Sequence, residues 1–160
     1  MKRILLLVED DPNDVFFFKH ALDHAGVRHR LYVVEDGQVA IDYLAGTGKF
    51  SDRDQHPFPS MVILDLKMPR KTGMEVLEWI RQQRKFRGLP VIIFTSSAHR
   101  LDVERAYDLG ANAFVVKPPD VDKRIEFAKC LEGFWLNFNE TPEIDDPTPA
   151  ETRPPRKNAN

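Results

Sequence analysis

Five short runs of consecutive apolar residues alternate along this chain with stretches whose apolar residues recur at helical spacing. That alternation specifies an α/β fold with a doubly wound, five-stranded parallel sheet. The runs are apolar throughout rather than at every second position, so helices must cover both faces of the sheet. Parallel neighbours in turn require right-handed helical crossovers. Four runs end in carboxylates, hydroxyls or a lysine. In a parallel sheet those ends share one edge, the edge where ligands bind.

The chain of 160 residues suffices for one domain with a full core. Its net charge of −2 gives no reason to expect a nucleic-acid or acidic-membrane partner held by charge. Cys130 is the only cysteine, so no internal disulfide forms, which fits a reducing compartment. Lys2-Arg3 and five apolar residues resemble the start of a signal peptide, but Glu9-Asp10-Asp11 ends the run too early. No stretch has the length of a membrane span. A soluble cytoplasmic protein is expected.

Ile4 to Val8 is the first strand, and Asp11-Pro12 supplies an N-cap and a first-position proline for a helix running to about Ala25. Leu31 to Val34 is the second strand, Asp36-Gly37 a turn, and Val39, Ala40, Tyr43 and Leu44 the apolar face of a short helix. Gly46 to Ser60 is polar and longer than most connections, an elaboration within the domain. Met61 to Leu64 is a strand that stops at Asp65. Gly73 leads into a helix with Val76, Leu77 and Ile80 inward. Pro90 to Thr95 is the fourth strand, Arg100 to Leu109 a helix closed by Gly110, and Ala113 to Val116 a fifth strand ending at Lys117-Pro118.

The last helix is expected from about Asp120 to Asn139. Val121, Ile125, Ala128, Leu131 and Trp135 form one face, and Phe127, Phe134 and Phe138 widen it well beyond the roughly 100° that covers a core. The surplus asks for a partner surface. Thr141 to Asn160 holds five prolines and few large apolar residues, so the expected division is a folded domain over 1–139 and a disordered tail over 140–160.

The shared edge carries Glu9-Asp10-Asp11, Asp65, Thr95-Ser96-Ser97 and Lys117. Carboxylates gathered there repel one another unless positive charge intervenes. Lys117 is one source, and a hard divalent cation held by oxygen ligands, best Mg²⁺, is the other.

This constellation resembles the receiver domain of bacterial response regulators over about residues 3 to 138. The resemblance rests on Leu7-Val8-Glu9-Asp10-Asp11, on Asp65-x-x-Met68-Pro69-x-x-x-Gly73, on Thr95 and on Lys117-Pro118, in the family's order. It implies a flavodoxin-like sheet of order 2-1-3-4-5 and Asp65 as acceptor of a phosphoryl group from a sensor histidine kinase or phosphotransfer protein. It implies Asp10 and Asp65 as Mg²⁺ ligands, Glu9 acting through a water, and the backbone carbonyl of Lys67 completing the protein's share. Lys117 and Thr95 would contact the phosphoryl oxygens, with the Lys117-Pro118 bond cis. Phe114 occupies the aromatic switch position without a tyrosine hydroxyl, and Lys67 stands where side chains influence the lifetime of the phosphorylated form.

The Gly46 to Ser60 insertion and the Phe134-Trp135-Leu136-Asn137-Phe138 ending resemble the stand-alone receivers that serve phytochrome-type kinases. That likeness implies a homodimer through the fourth helix, fifth strand and fifth helix, with Phe127, Phe134, Trp135 and Phe138 in the interface. Too few residues follow 139 for an output domain, so the output is expected to be altered protein binding. Two other readings compete. A constitutive dimeric adaptor would not need the reactive residues. An Asp-nucleophile phosphohydrolase would need a second acid two residues beyond the nucleophile, where Lys67 stands. The five histidines show no zinc spacing with cysteine, and Phe16-Phe17-Phe18 reads as core plus a contact patch.

Overall fold

The computed structural model describes residues 2–144. Strand β1 (Ile4–Val8) pairs in parallel with β2 (Arg30–Val34) on one side and β3 (Met61–Leu64) on the other, placing Leu6 beside Tyr32 and Val62. Beyond β3 lie β4 (Val91–Thr95) and β5 (Ala113–Val116), so the order is β2-β1-β3-β4-β5. The chain reverses its winding between β1 and β3. There the loops leaving two adjacent strands diverge and open a crevice.

The helices are α1 (Pro12–His24), α2 (Gly37–Ala45), α3 (Gly73–Gln82), α4 (Arg100–Asp108) and α5 (Val121–Cys130). Alternate strand residues feed two cores. Leu6, Val8, Val62, Leu64 and Ile93 join Leu44, Leu77, Ile80 and Phe86 on one face. Leu5, Leu7, Ile63, Ile92 and Phe94 join Phe18, Leu22, Ala128 and Leu131 on the other. Each such fully buried aliphatic side chain contributes about 1.5–3 kcal/mol. The two-sided core fixes register, because a one-residue slip would exchange the faces.

The Gly46 to Ser60 connection is fastened rather than loose. Gly46 closes α2 in the left-handed conformation, and Arg53 donates to the carbonyls of Tyr43 at 2.7 Å and Leu44 at 2.9 Å. Phe50 from a 3-10 turn (Gly48–Phe50) is buried against Tyr43, whose hydroxyl donates to Pro57 O.

The carboxyl-terminal helix differs from the expected single α-helix ending near Asn139. Asp120 is the N-cap, the α-helix ends at Cys130, and Leu131–Leu136 is π-helical. Winding through i to i+5 bonds places Leu131 and Leu136 on one buried face. It also divides the broad apolar face. Phe127 stacks on Phe94 with centroids 5.1 Å apart, and Trp135 packs on the second core. Phe134 and Phe138 remain 55% and 79% exposed. Of the expected tail, residues 140–144 are described, and there Pro142 lies against Gly88 and Ile144 against the first core. The remaining tail residues lie outside the described ones. Among the described residues no helix is long and apolar enough to cross a membrane.

Candidate functional site

Asp65 follows β3 directly and is 6% exposed. Its backbone N–H donates to Val8 O at 3.1 Å, and its Oδ1 accepts from the N–H of Leu66 at 2.7 Å, so the carboxylate is aimed by its own strand end. The loop behind it is held at both ends. Gly73 N–H donates to Leu66 O at 2.9 Å, and Thr72 and Glu75 form a reciprocal capping box at the start of α3. Glycine is required at 73 by space, since a Cβ there would stand 2.0 Å from the carbonyl oxygen of Asp65. Arg70 adopts φ 63° and pairs with Asp36, the N-cap of α2, at 2.7 Å.

Glu9 leaves β1 buried, while Asp10 beside it is exposed. One carboxylate oxygen from each of Glu9, Asp10 and Asp65 lies within 4.8 Å of the others. An all-oxygen set of three carboxylates at a crevice edge suits a hard divalent cation with retained waters, so the residues fit Mg²⁺. Glu9 is already engaged. Its Oε1 accepts from Asp11 N–H at 3.1 Å and its Oε2 from Lys117 Nζ at 2.7 Å.

Lys117, 9% exposed, donates to Glu9 at 2.7 Å, to Asp14 at 2.8 Å and to Asp65 at 3.3 Å. Burial would lower its pKa, but the hydrogen bonds to Asp14 and Glu9 and the charge of Asp65 outweigh burial and push it up. Glu9 moves the other way. Burial lifts its carboxyl to about 7 against the opposing Lys117 hydrogen bond. The expected cis bond at Lys117-Pro118 is corrected, since no peptide bond among the described residues is cis. The ammonium still reaches the acids because the Lys117 N–H bonds Thr95 O at 2.7 Å and Arg124 donates to Pro118 O at 2.6 Å, aiming the strand end inward.

Thr95 is fully buried, and its hydroxyl oxygen accepts from Ser97 N–H at 3.3 Å. Ser97 donates to Asp102 at 2.5 Å, tying the loop to α4. Phe114 sits half-buried on the neighbouring strand, packed against the first core. Phe18 is core, whereas Phe16 and Phe17 of the same triplet are exposed. Glu9, Asp10, Asp65, Thr95 and Lys117 thus gather on one edge, while Phe127 and Trp135 turn onto the core. Sequence reasoning missed Asp14. Its only signal was an acidic residue in the first turn of a helix that starts at the active edge. A groove of about 550 Å³ lined by Tyr32, Asp36, Phe50, His56 and Arg70 contains none of the residues expected at the site.

The family model for the response regulator receiver domain matches residues 5–128. The chain is a member of that family. It is 31% identical over 134 residues to response regulator Rcp1 of Synechocystis, covering 84% of this chain and 89% of that protein. The crystal structure of the phosphorylated cyanobacterial phytochrome response regulator RcpA superposes with a TM-score of 0.82 at 29% identity, over 89% of this chain and all of the other. The Mn²⁺-bound form of Rcp1 gives 0.78 at 30% identity, over 88% of this chain and 99% of its own. The receiver thus belongs to two-component signalling, and its relatives include short regulators of phytochrome systems.

Proposed function

We propose that this receiver accepts a phosphoryl group on Asp65 from a sensor histidine kinase of phytochrome type, or from a phosphotransfer protein, and signals through changed protein binding. The observation that carries the proposal is the buried Asp65 carboxylate lying both within the three-acid cluster and 3.3 Å from Lys117 Nζ. A carboxylate oxygen of Asp65 attacks phosphorus, the O–P bond forms as the P–N bond to the donor histidine breaks, and the imidazole nitrogen keeps the electron pair and takes a proton. Lys117 supplies positive charge to the phosphoryl oxygens as a mobile ammonium. Glu9, Asp10, Asp65 and the Lys67 carbonyl would hold Mg²⁺, which when bound neutralises those oxygens. Thr95, at the end of β4, turns its hydroxyl to the phosphoryl group and Phe114 repacks behind it.

The relatives' phytochrome association and the phosphorylated state named for RcpA support the partner and the chemistry. The reading places the domain in the cytoplasm, where ATP-fed kinases act. A homodimer through α4, β5 and α5 is part of it. Leu101, Tyr107, Val116 and Val121 lie exposed on those elements, with Phe134 and Phe138 beyond them. Incubation with Mg²⁺ and acetyl phosphate tests the proposal. Intact mass should show one phosphoryl adduct in wild type, none in Asp65→Asn and none without Mg²⁺, and light scattering should show a changed molar mass. Absence of any adduct in folded wild type would favour the constitutive adaptor instead.

A further inference from the structure

An ammonium group has three donors, and Lys117 spends all three on Glu9, Asp14 and Asp65. A phosphoryl group on Asp65 would bring further acceptors to the same Nζ, so one carboxylate must give way. Asp65 carries the new group, and Glu9 sits beside it in the acidic cluster at 2.7 Å from the lysine. Asp14 stands outside that cluster, and it has another cation to turn to. Its Oδ1 lies 3.6 Å from Nη1 of Arg124, which is buried and without a hydrogen-bond partner among the described residues.

The Arg124 side chain is only 13% exposed. Its Nε is fixed on Pro118 O at 2.6 Å and its guanidinium lies 5.2 Å from the Phe17 ring, so the spare donor is held where it is. A buried donor left unpaired is costly, and Asp14 needs to move less than 1 Å, roughly, to satisfy it.

We infer that Asp14 is a positioning residue of the phosphoryl site, which restrains Lys117 at rest and passes from Lys117 to Arg124 when Asp65 is loaded. The inference rests on Asp65 being the phosphoryl acceptor. Asp14 thereby opposes loading, and its transfer tightens the junction between α1 and the Lys117-Pro118 turn beside the exposed Phe17. An ordinary surface ion pair would do neither.

Beryllofluoride with saturating Mg²⁺, titrated calorimetrically into wild type, Asp14→Asn and Asp14→Glu, tests this. Asp14→Asn should bind about tenfold more tightly, because the competing charge-assisted bond is weakened, and Asp14→Glu should stay near wild type. The Arg124 guanidinium nitrogen resonances of wild type should become protected on adding beryllofluoride. Equal or weaker binding by Asp14→Asn, or an unchanged Arg124 signal in wild type that does bind, would overturn the role of Asp14 alone. Failure of wild type to bind would overturn the acceptor assignment and this inference together.

Discussion

Replacing Gly73 by alanine puts one methyl group into the backbone that shapes the acceptor. The added Cβ would lie 2.0 Å from Asp65 O, 2.8 Å from Leu66 Cα and 2.9 Å from the Asp65 carbonyl carbon. All three are main-chain atoms, so no side chain can rotate away. Reaching ordinary contact with the Asp65 oxygen requires about 1.5 Å of separation between α3 and the strand end. That movement stretches the Gly73 N–H bond to Leu66 O, now 2.9 Å, and drags the Leu66 N–H that orients the Asp65 carboxylate at 2.7 Å. Overpacking of this kind costs about 1–3 kcal/mol, or a fall in Tm of roughly 3–10 °C for a domain of this size. A displacement of about 1 Å at the reacting atom lowers the rate of phosphorylation by up to about 100-fold. Thermal unfolding followed by circular dichroism gives the first quantity, and the initial rate of Mg²⁺-dependent adduct formation well below Tm gives the second. A Gly73→Ala protein with wild-type Tm and wild-type rate would refute the claim that this glycine sets the geometry of Asp65.

Two further outcomes follow from side chains at opposite edges of the sheet, Arg81 before β4 and β5 and Glu9 after β1. Arg81 donates to the carbonyl oxygens of Gly110 and Leu89 and to Asn112 Oδ1, each at 2.9 Å, sewing α3 to the loops around β4 and β5. Arg81→Ala should lower stability by about 2–4 kcal/mol in denaturant unfolding and leave the phosphorylation rate of the folded protein unchanged; a loss below about 0.5 kcal/mol would contradict this. The Glu9 carboxyl, lifted from 4.5 to about 7 by burial, holds its proton more tightly in the folded chain than in the unfolded one. Its contribution to stability is therefore present at low pH and lost as pH rises towards 7, and a divalent ion that needs the carboxylate binds better over the same range. The gain in Tm on adding Mg²⁺ should be larger at pH 8 than at pH 6, and Glu9→Gln should flatten that difference; equal gains at both values in wild type would contradict the assignment.

The core of the fold was readable because Met61–Leu64 and Val91–Thr95 are buried on both faces, so their sequences are apolar without alternation. The edge was readable for the same reason, since an acid immediately after such a strand has only one place to lie. Asp14 was not, because its role depends on Lys117 arriving from a residue 103 positions later. The expectation of one α-helix running to about Asn139 failed for a local reason. A wheel assumes α-helical winding throughout, and the π-helical stretch from Leu131 rotates the residues beyond it. The trans Lys117-Pro118 bond lies beyond local sequence altogether, since the lysine's direction is set by Thr95 and Arg124.

The central claim is that Asp65 itself carries the phosphoryl group. Borohydride reduces an acyl phosphate to an alcohol and so converts a phosphorylated aspartate to homoserine, and trypsin releases the segment from Asp54 to Lys67, which holds two aspartates. Tandem mass spectrometry of that peptide, after phosphorylation with Mg²⁺ and reduction, should place homoserine at 65 and leave Asp54 unchanged. Homoserine elsewhere, or an adduct that resists borohydride, would contradict the account.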